Sequence, residues 1–215
     1  DPRIKVDLHK MTEGHQDATI MVAYLEQKEL TDEALLAATA KADRILNQIE
    51  EMAAANCTTM DIAYTPADLY KLKYQGKKAI MLGIENGYAI GKDIRNVARF
   101  RKRGVVYMTL CHNGNNDICG SARYNDQNLG VSPFGEQVIQ EMNRTGMLVD
   151  ISHAGENSFY DALAISRQPI VASHSSCRAL CNHPRNLTDE QLKALADKGG
   201  VAQVCLYSGF LRIDR

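Results

Sequence analysis

Short apolar runs recur along the 215 residues, and each is separated from the next by a longer segment with helical character. The six runs are residues 18–25, 79–84, 105–110, 147–151, 169–172 and 201–206. Their nearly unbroken hydrophobicity is typical of parallel strands covered on both faces, because half-exposed antiparallel strands alternate apolar and polar residues. The alternation of such strands with helices predicts an α/β fold built from successive βα units.

The segments between the runs carry helix signals. Helices are predicted over residues 31–55, 93–103, 134–145, 156–166 and 188–198. Thr188 and Gln191 form a capping-box pattern at the start of the last one, and Gly146 follows the end of another. Residues 111–133 are rich in Asn, Gly, Asp and Ser and are predicted to form a long loop, a feature that is usually functional inside a domain. No linker divides the chain, so we expect one domain over residues 1–215.

Composition excludes some classes of function. Lys and Arg together number 25 against 26 for Asp and Glu, so the chain lacks the basic surplus typical of nucleic-acid binding. No apolar run approaches the roughly 18 residues that a membrane span needs, and the first ten residues lack the apolar core of a signal peptide. We therefore expect no nucleic-acid partner and no transmembrane segment, whereas the cellular compartment stays open.

Four of the apolar runs lead directly to a carboxylate or an imidazole, namely Glu85, His112, His153 and His174. In a (β/α) barrel the carboxyl ends of the parallel strands converge on one face, so these side chains are expected to meet. Imidazoles and one carboxylate suit Zn²⁺ or a similar cation, which activates water for hydrolysis. Any single histidine could instead be a hydrogen-bonded structural residue, but four such strand-end residues in register predict a metal site.

Three further motifs bear on this site. Arg185, in H-P-R-N, suits bidentate capture of a carboxylate, and a surface salt bridge is the alternative. The serines of residues 173–176 lack the G-x-S-x-G elbow of a serine hydrolase and are expected to cap a turn or to orient His174. His15 and Asp17 resemble an H-x-D metal motif, but they precede an apolar run and should lie at the wrong end of a barrel.

In order and spacing, the stretches around these residues resemble the membrane dipeptidase (renal dipeptidase) family of zinc peptidases, within the metal-dependent hydrolase superfamily. The matching stretches are L-G-I-E-N-G (82–87), Y-M-T-L-C-H-N-G-N-N (107–116), the segment 130–153, P-I-V-A-S-H-S-S (169–176), H-P-R-N-L-T-D-E-Q-L (183–192) and G-G-V-A-Q-V (199–204). They cover most of the chain from about residue 80 onward, and residues 6–18 are similar more loosely.

The resemblance implies a TIM-type (β/α)₈ barrel, of which about six βα units, strands two to seven, are present. It implies dipeptide hydrolysis by a hydroxide that bridges two zinc ions. Glu85 would bridge both metals, and His153 and His174 would complete the shell of the second. His112 would contact the substrate and stabilise the oxyanion, which replaces its interpretation as a fourth ligand. Arg185 would bind the C-terminal carboxylate of the dipeptide.

Two features of the family have no counterpart in the 215 residues. The H-x-D pair that holds the first zinc and the aspartate after the eighth strand would both lie outside them, so ligands for only one zinc are fully present. We therefore expect the central part of a longer barrel, with its activity alone in question. The alternatives are a non-catalytic fragment or scaffold of the same fold, or an amidohydrolase acting on acyl-amino-acid or lactam amides; a homodimer stays open.

Overall fold

Parallel strands form the centre of the protein in the computed structural model, which describes residues 3–124 and 129–212. The strands are β1 (Ala18–Tyr24), β2 (Met60–Ile62), β3 (Lys78–Glu85), β4 (Val105–Thr109), β5 (Leu148–Asp150), β6 (Val171–Ala172) and β7 (Val201–Ala202). Their order in the sheet is β1-β3-β4-β5-β6-β7, and β2 pairs only with the first residues of β3. Every strand pair is parallel, so the carboxyl ends of the strands lie at one edge.

One helix precedes the first strand, and the others lie between successive strands. They are α1 (Leu8–Glu13), α2 (Asp32–Ala55), α3 (Pro66–Tyr74), α4 (Arg95–Arg103), α5 (Pro133–Thr145), α6 (Glu156–Ile165) and α7 (Asp189–Asp197), with two short 3₁₀ turns, Gly87–Ile90 and Ser208–Phe210. The capping box predicted at Thr188 is present, because its side chain accepts from the Gln191 amide and the Gln191 side chain accepts from the Thr188 amide. None of the helices in the described ranges combines the length and hydrophobicity that crossing a membrane requires.

The α/β prediction is confirmed, because all six apolar runs become strands of one curved parallel sheet, a half-barrel. The differences lie in short elements. β2, α1 and α3 were not predicted, and the run 201–206 contributes only the two residues of β7 to the ladder. Beyond β7 the chain bonds to the turn after β6 instead, through the Cys205 amide and the Ser175 carbonyl oxygen. The single-domain expectation stays a prediction.

The two faces of the sheet carry different residues. In β3, Ile80, Leu82 and Ile84 are fully buried in the core that the sheet forms with the helices, and each such side chain contributes roughly 1.5–3 kcal/mol of stabilisation. The opposite face is concave and lines a cavity of about 440 Å³, which includes Glu85 and Tyr107. The period-two alternation of a strand therefore places apolar side chains against the helices and the polar end of β3 in the cavity.

The loop between β4 and α5 is anchored to the start of α5 (its residues 125–128 lie outside the described ranges). Ser132 caps α5 by accepting from the Gly135 amide, and its hydroxyl donates to the Asp117 carbonyl oxygen. Gly135 lies so close to the loop that an added Cβ would stand 2.1 Å from the Ile118 carbonyl oxygen. Only glycine permits this approach, which fixes the loop against the start of α5.

We predict that Gly135→Ala lowers the free energy of unfolding by about 1–3 kcal/mol, since its Cβ collides with backbone that must then shift. The sign of this change in stability is informative, because alanine in place of glycine normally stabilises a helix by roughly 0.5–1 kcal/mol. Urea unfolding followed by circular dichroism measures the change. Gln137→Ala, at an exposed position of the same helix, serves as the control and should leave the midpoint nearly unchanged. Equal or higher stability of Gly135→Ala would contradict the close approach.

Candidate metal centre

Three potential metal ligands converge at the carboxyl edge of the sheet. Glu85 is the last residue of β3, His153 follows β5 and His174 follows β6. The Nε2 atoms of His153 and His174 each lie 3.3 Å from Glu85 Oε1, and 2.8 Å from one another. All three ligand atoms fall within 4.8 Å of one another. Parallel strand geometry thus joins residues that are distant in sequence at a point where one cation could contact all of them.

The hydrogen bonds of both imidazoles leave lone pairs facing the centre. The His153 Nδ1 contacts Asn113 Oδ1 at 2.9 Å, and an amide oxygen only accepts, so Nδ1 carries the proton. The His174 Nδ1 contacts Ser173 Oγ at 2.7 Å. The Ser173 hydroxyl lies 2.6 Å from Asp150 Oδ2, to which it donates, so it accepts from His174 Nδ1. In its neutral form, each ring then presents an unprotonated Nε2.

Two unprotonated nitrogens and a carboxylate oxygen at these distances repel one another unless a cation lies between them. Burial lowers the pKa of His153 to about 3, so this ring is neutral at physiological pH. A carboxylate beside two imidazoles is a donor set that suits a divalent metal ion, so the residues fit the metal that a metallopeptidase requires.

The backbone at the ends of β3 and β5 adopts conformations that are rare for residues other than glycine. Asn86 has φ 94° and His153 has φ 71°. Such residues cost on the order of 1–3 kcal/mol each and persist where their surroundings hold them. The His153 carbonyl oxygen accepts from the Ala122 amide at 2.8 Å, and Asn86 Nδ2 donates to the Leu25 carbonyl oxygen at 3.1 Å. These contacts turn the chain sharply as it leaves each strand and direct Glu85 and His153 towards the centre.

Asp150 is a buried carboxylate that the sequence reasoning did not single out. It is fully buried at the end of β5 and accepts four hydrogen bonds. Thr109 Oγ1 and Ser173 Oγ each lie 2.6 Å from Oδ2, while the amides of Ser152 and Ser173 donate to Oδ1. The only signal in the sequence is a charged residue inside the apolar run 147–151. Asp150 joins the end of β4 to the turn that carries His174.

His112 lies beside the three converging ligands. Its Nε2 is 3.7 Å from Glu85 Oε1, and its ring lies 4.1 Å from the His153 ring and 4.8 Å from the Tyr24 ring, measured between centroids. Burial lowers its pKa. The structure therefore brings together all four residues that the strand ends predicted, with His112 adjacent to the group formed by the other three. A contact to substrate, rather than to metal, stays a prediction for His112.

Arg185 is buried next to the same centre. Its side chain is 8% exposed, which excludes the alternative of a surface salt bridge. Its Nη2 donates weakly to the His174 carbonyl oxygen at 3.4 Å, and its guanidinium lies 5.2 Å from the centre of the Phe210 ring. Within the described residues, its buried Nε has no hydrogen-bond acceptor. A buried donor without an acceptor is costly, and on a guanidinium it suits an anionic acceptor.

The H-x-D-like pair lies elsewhere. His15 and Asp17 precede β1, at the end of the strand opposite to Tyr24, which pairs with Glu85. The Asp17 carboxylate forms an ion pair of 2.7 Å with Lys73. The structure therefore places this pair at the amino edge of the sheet, as its position before the first apolar run indicated.

Comparisons with known proteins give a consistent result. The sequence profile of the family described as membrane dipeptidase (peptidase family M19) matches residues 1–215. The dipeptidase tcpJ of Claviceps purpurea is 30% identical over 204 residues, which are 93% of this chain and 48% of that protein. The crystal structure of the probable dipeptidase PvdM of Pseudomonas aeruginosa has a TM-score of 0.85 at 30% identity, with 93% of this chain and 53% of that chain covered.

A third similarity concerns the fold alone. A metallo peptidase of Rhodobacter sphaeroides has a TM-score of 0.90 at 22% identity, with 99% of this chain and 68% of that chain covered. The chain spans about half the length of tcpJ and PvdM. Because the family profile covers the whole chain and the ligands expected from the resemblance converge in the structure, the chain belongs to the membrane dipeptidase family of metallopeptidases.

Proposed function

We propose that the chain forms the zinc- and substrate-binding part of a dipeptidase. The observation that carries this proposal is the convergence of Glu85, His153 and His174, whose acceptor atoms face one another beside the buried, unsatisfied guanidinium of Arg185. Imidazole nitrogen and carboxylate oxygen are common zinc ligands, and three protein ligands leave a position open for chemistry. The names of the relatives, a dipeptidase and a probable dipeptidase, support the same reaction.

Each residue has a role in peptide hydrolysis. When bound, a zinc ion supplies Lewis acidity that activates water and polarises a peptide carbonyl. His112 is held between the Tyr24 and His153 rings and provides an N–H donor for the carbonyl oxygen as negative charge develops on it. Burial lowers the pKa of His112, so the ring acts as a neutral hydrogen-bond donor. Glu85, His153 and His174 would hold the metal next to His112.

Arg185 selects the substrate. A guanidinium binds a carboxylate through two parallel hydrogen bonds, and the unsatisfied Nε supplies one of them. The group is close enough to the centre for its charge to lower the pKa of both His153 and His112, in addition to the larger effect of burial. A carboxylate bound there lies near the bond to be cleaved, which favours dipeptides over longer peptides. Acyl-amino acids also carry a free carboxylate, so Arg185 alone does not distinguish these substrates.

The stoichiometry follows from the ligands. The family resemblance implies two zinc ions, with Glu85 shared between them, but the 215 residues supply a full set of candidate ligands for one. We therefore propose one tightly bound zinc per chain of this sequence. The remaining ligands, the acid or base that assists proton transfer, and any homodimer contact stay outside this proposal.

Zinc binding tests the metal centre directly. We predict about one zinc per chain after dialysis. Removing the hydrogen-bond partner of a metal ligand lowers metal affinity roughly 10–100-fold, and His153→Ala, which removes a ligand itself, should lower zinc affinity by more than that. Elemental analysis and competition with a chromophoric chelator measure both quantities, and circular dichroism checks the fold. His9→Ala is the matched control, because His9 is exposed and pairs with Glu13 within α1. Equal zinc affinity of His153→Ala and the unmodified chain would refute the ligand assignment.

Substrate binding tests Arg185. We predict that the zinc-loaded protein binds a dipeptide more tightly than the corresponding dipeptide amide. Arg185→Ala should remove this preference, because it weakens binding of the dipeptide by roughly 2–3 kcal/mol. Isothermal titration calorimetry gives the affinities. Arg167→Ala, at an exposed position, should keep the preference.

Hydrolysis separates the catalytic proposal from its alternatives. The zinc-loaded protein is incubated with dipeptides, acyl-amino acids and lactam amides, and released amino groups are quantified. Release from dipeptides supports the dipeptidase, and release only from acyl-amino acids or lactams supports a related amidohydrolase. Binding without release from any substrate contradicts catalysis by this chain and leaves a scaffold that retains the metal and carboxylate sites.

A further inference from the structure

Both histidines of the metal centre have their second ring nitrogen occupied by a side chain from outside the ligand set. Asn113, in the loop after β4, reaches His153, which lies 40 residues further along the chain. Ser173, the neighbour of His174, occupies the other ring. We propose that Asn113 and Ser173 are positioning residues that fix both imidazoles with the proton on Nδ1, so that Nε2 of each ring is held towards Glu85 as a metal ligand. This inference rests on the proposed metal site.

The Ser173 contact has a defined direction. Asp150 Oδ1 accepts from two backbone amides, of Ser152 and Ser173, and Oδ2 lies 2.6 Å from each of two hydroxyls, those of Thr109 and Ser173. The carboxylate is therefore an acceptor on both oxygens, and the Ser173 hydroxyl uses its single proton in this bond. Only lone pairs of Ser173 Oγ remain for the His174 Nδ1 at 2.7 Å. The buried charge of Asp150 thus sets the direction of the whole chain of hydrogen bonds.

The Asn113 contact acts on a ring that has little other freedom. The backbone of His153 is held at φ 71° by its carbonyl contact to the loop, and its side chain is largely buried. The amide oxygen of Asn113 accepts from Nδ1 at 2.9 Å. If Asn113 presented its NH₂ group instead, Nδ1 would have to accept and the proton would move to Nε2, where it would oppose a cation. The orientation of one loop amide therefore decides whether His153 can bind a metal.

The two imidazole rings share one arrangement of ligand and hydrogen-bond partner. Each ligand is supplied by the end of one strand, and its tautomer is fixed by a side chain whose removal leaves the ligand itself in place. Such partners of ligating histidines typically contribute about 10–100-fold to metal affinity. Because Asn113 is the immediate neighbour of His112, the loop that carries the proposed substrate contact also orients a metal ligand. Displacement of this loop would weaken both functions together.

The tautomers are measurable with zinc bound, when a cation lies between the converging Nε2 atoms and Glu85. In the zinc-loaded protein, long-range ¹H–¹⁵N correlation spectra of the histidine rings distinguish a ring with its proton on Nδ1 from one with its proton on Nε2, with assignments from single His→Gln variants. We predict the Nδ1–H form for both His153 and His174. Ser173→Ala should shift His174, and Asn113→Ala should shift His153, towards a mixture with Nε2–H. An Nε2–H ring for either histidine in the unmodified protein would overturn the proposal for that ring, and this reading does not depend on any variant folding.

Zinc affinity provides the second readout. We predict that Ser173→Ala and Asn113→Ala each lower the zinc affinity about 10–100-fold. Ser173→Thr keeps a hydroxyl and Asn113→Asp keeps an acceptor oxygen, so both should retain most of the zinc affinity. Ser175→Ala is the matched control: Ser175 lies on the other side of His174, and its hydroxyl contacts Ser152 rather than an imidazole. Equal affinity in all five variants would overturn the proposal.

The two readouts separate this inference from the proposed function. If the unmodified protein binds zinc but the variants change neither tautomer nor affinity, the positioning proposal fails and the metal centre stands. If the unmodified protein binds no zinc, the metal centre fails, and the positioning proposal, which rests on it, fails with it. A general loss of folding in Ser173→Ala would also appear in circular dichroism, and normal behaviour of Ser173→Thr then shows that the hydroxyl is what matters.

Discussion

Burial of the Asp150 carboxylate is the constraint on which the arrangement of the metal centre depends. A buried charge is tolerated only where hydrogen bonds replace its hydration, and Asp150 obtains four, from the side chain of Thr109, the amide of Ser152, and both the amide and the hydroxyl of Ser173. These donors come from the ends of β4, β5 and β6. Satisfying one carboxylate therefore fixes three strand ends relative to one another, and His174 is placed as a consequence.

Much of the fold and of the site was predictable because both depend on local patterns and on one geometric rule. Apolar runs mark where parallel strands end, and parallel strands end at one edge, so the convergence of Glu85, His153 and His174 follows from strand boundaries alone. The short elements escaped prediction because pairing partners decide them. β2 has only three residues and pairs only with the start of β3, and β7 forms a ladder of two residues before the chain turns to the loop after β6.

The division of roles among the strand-end residues was not predictable from spacing. His112 follows its strand in the same way as His153 does, and only the three-dimensional structure places it beside the ligand group, between the rings of Tyr24 and His153. Asn113 carries even less signal, since one amide in an Asn-rich loop gives no indication of a contact 40 residues away. Side-chain orientation at a strand end depends on backbone turns and on partners from other loops, and neither is encoded in a local pattern.

Arg185 connects the electrostatics of the candidate metal ligands with those of the proposed substrate site. After burial, its positive charge is a further cause that lowers the pKa of both His153 and His112, so it helps to keep the imidazoles neutral. A neutral imidazole is the form that binds a metal, whereas a protonated one is repelled by it. The guanidinium proposed to bind the carboxylate of the substrate therefore also opposes protonation of a ligand. A bound substrate carboxylate would neutralise the charge of Arg185. A metal ion bound before the substrate would then oppose protonation of His153 in its place, so Arg185 and the metal act one after the other on the same ring.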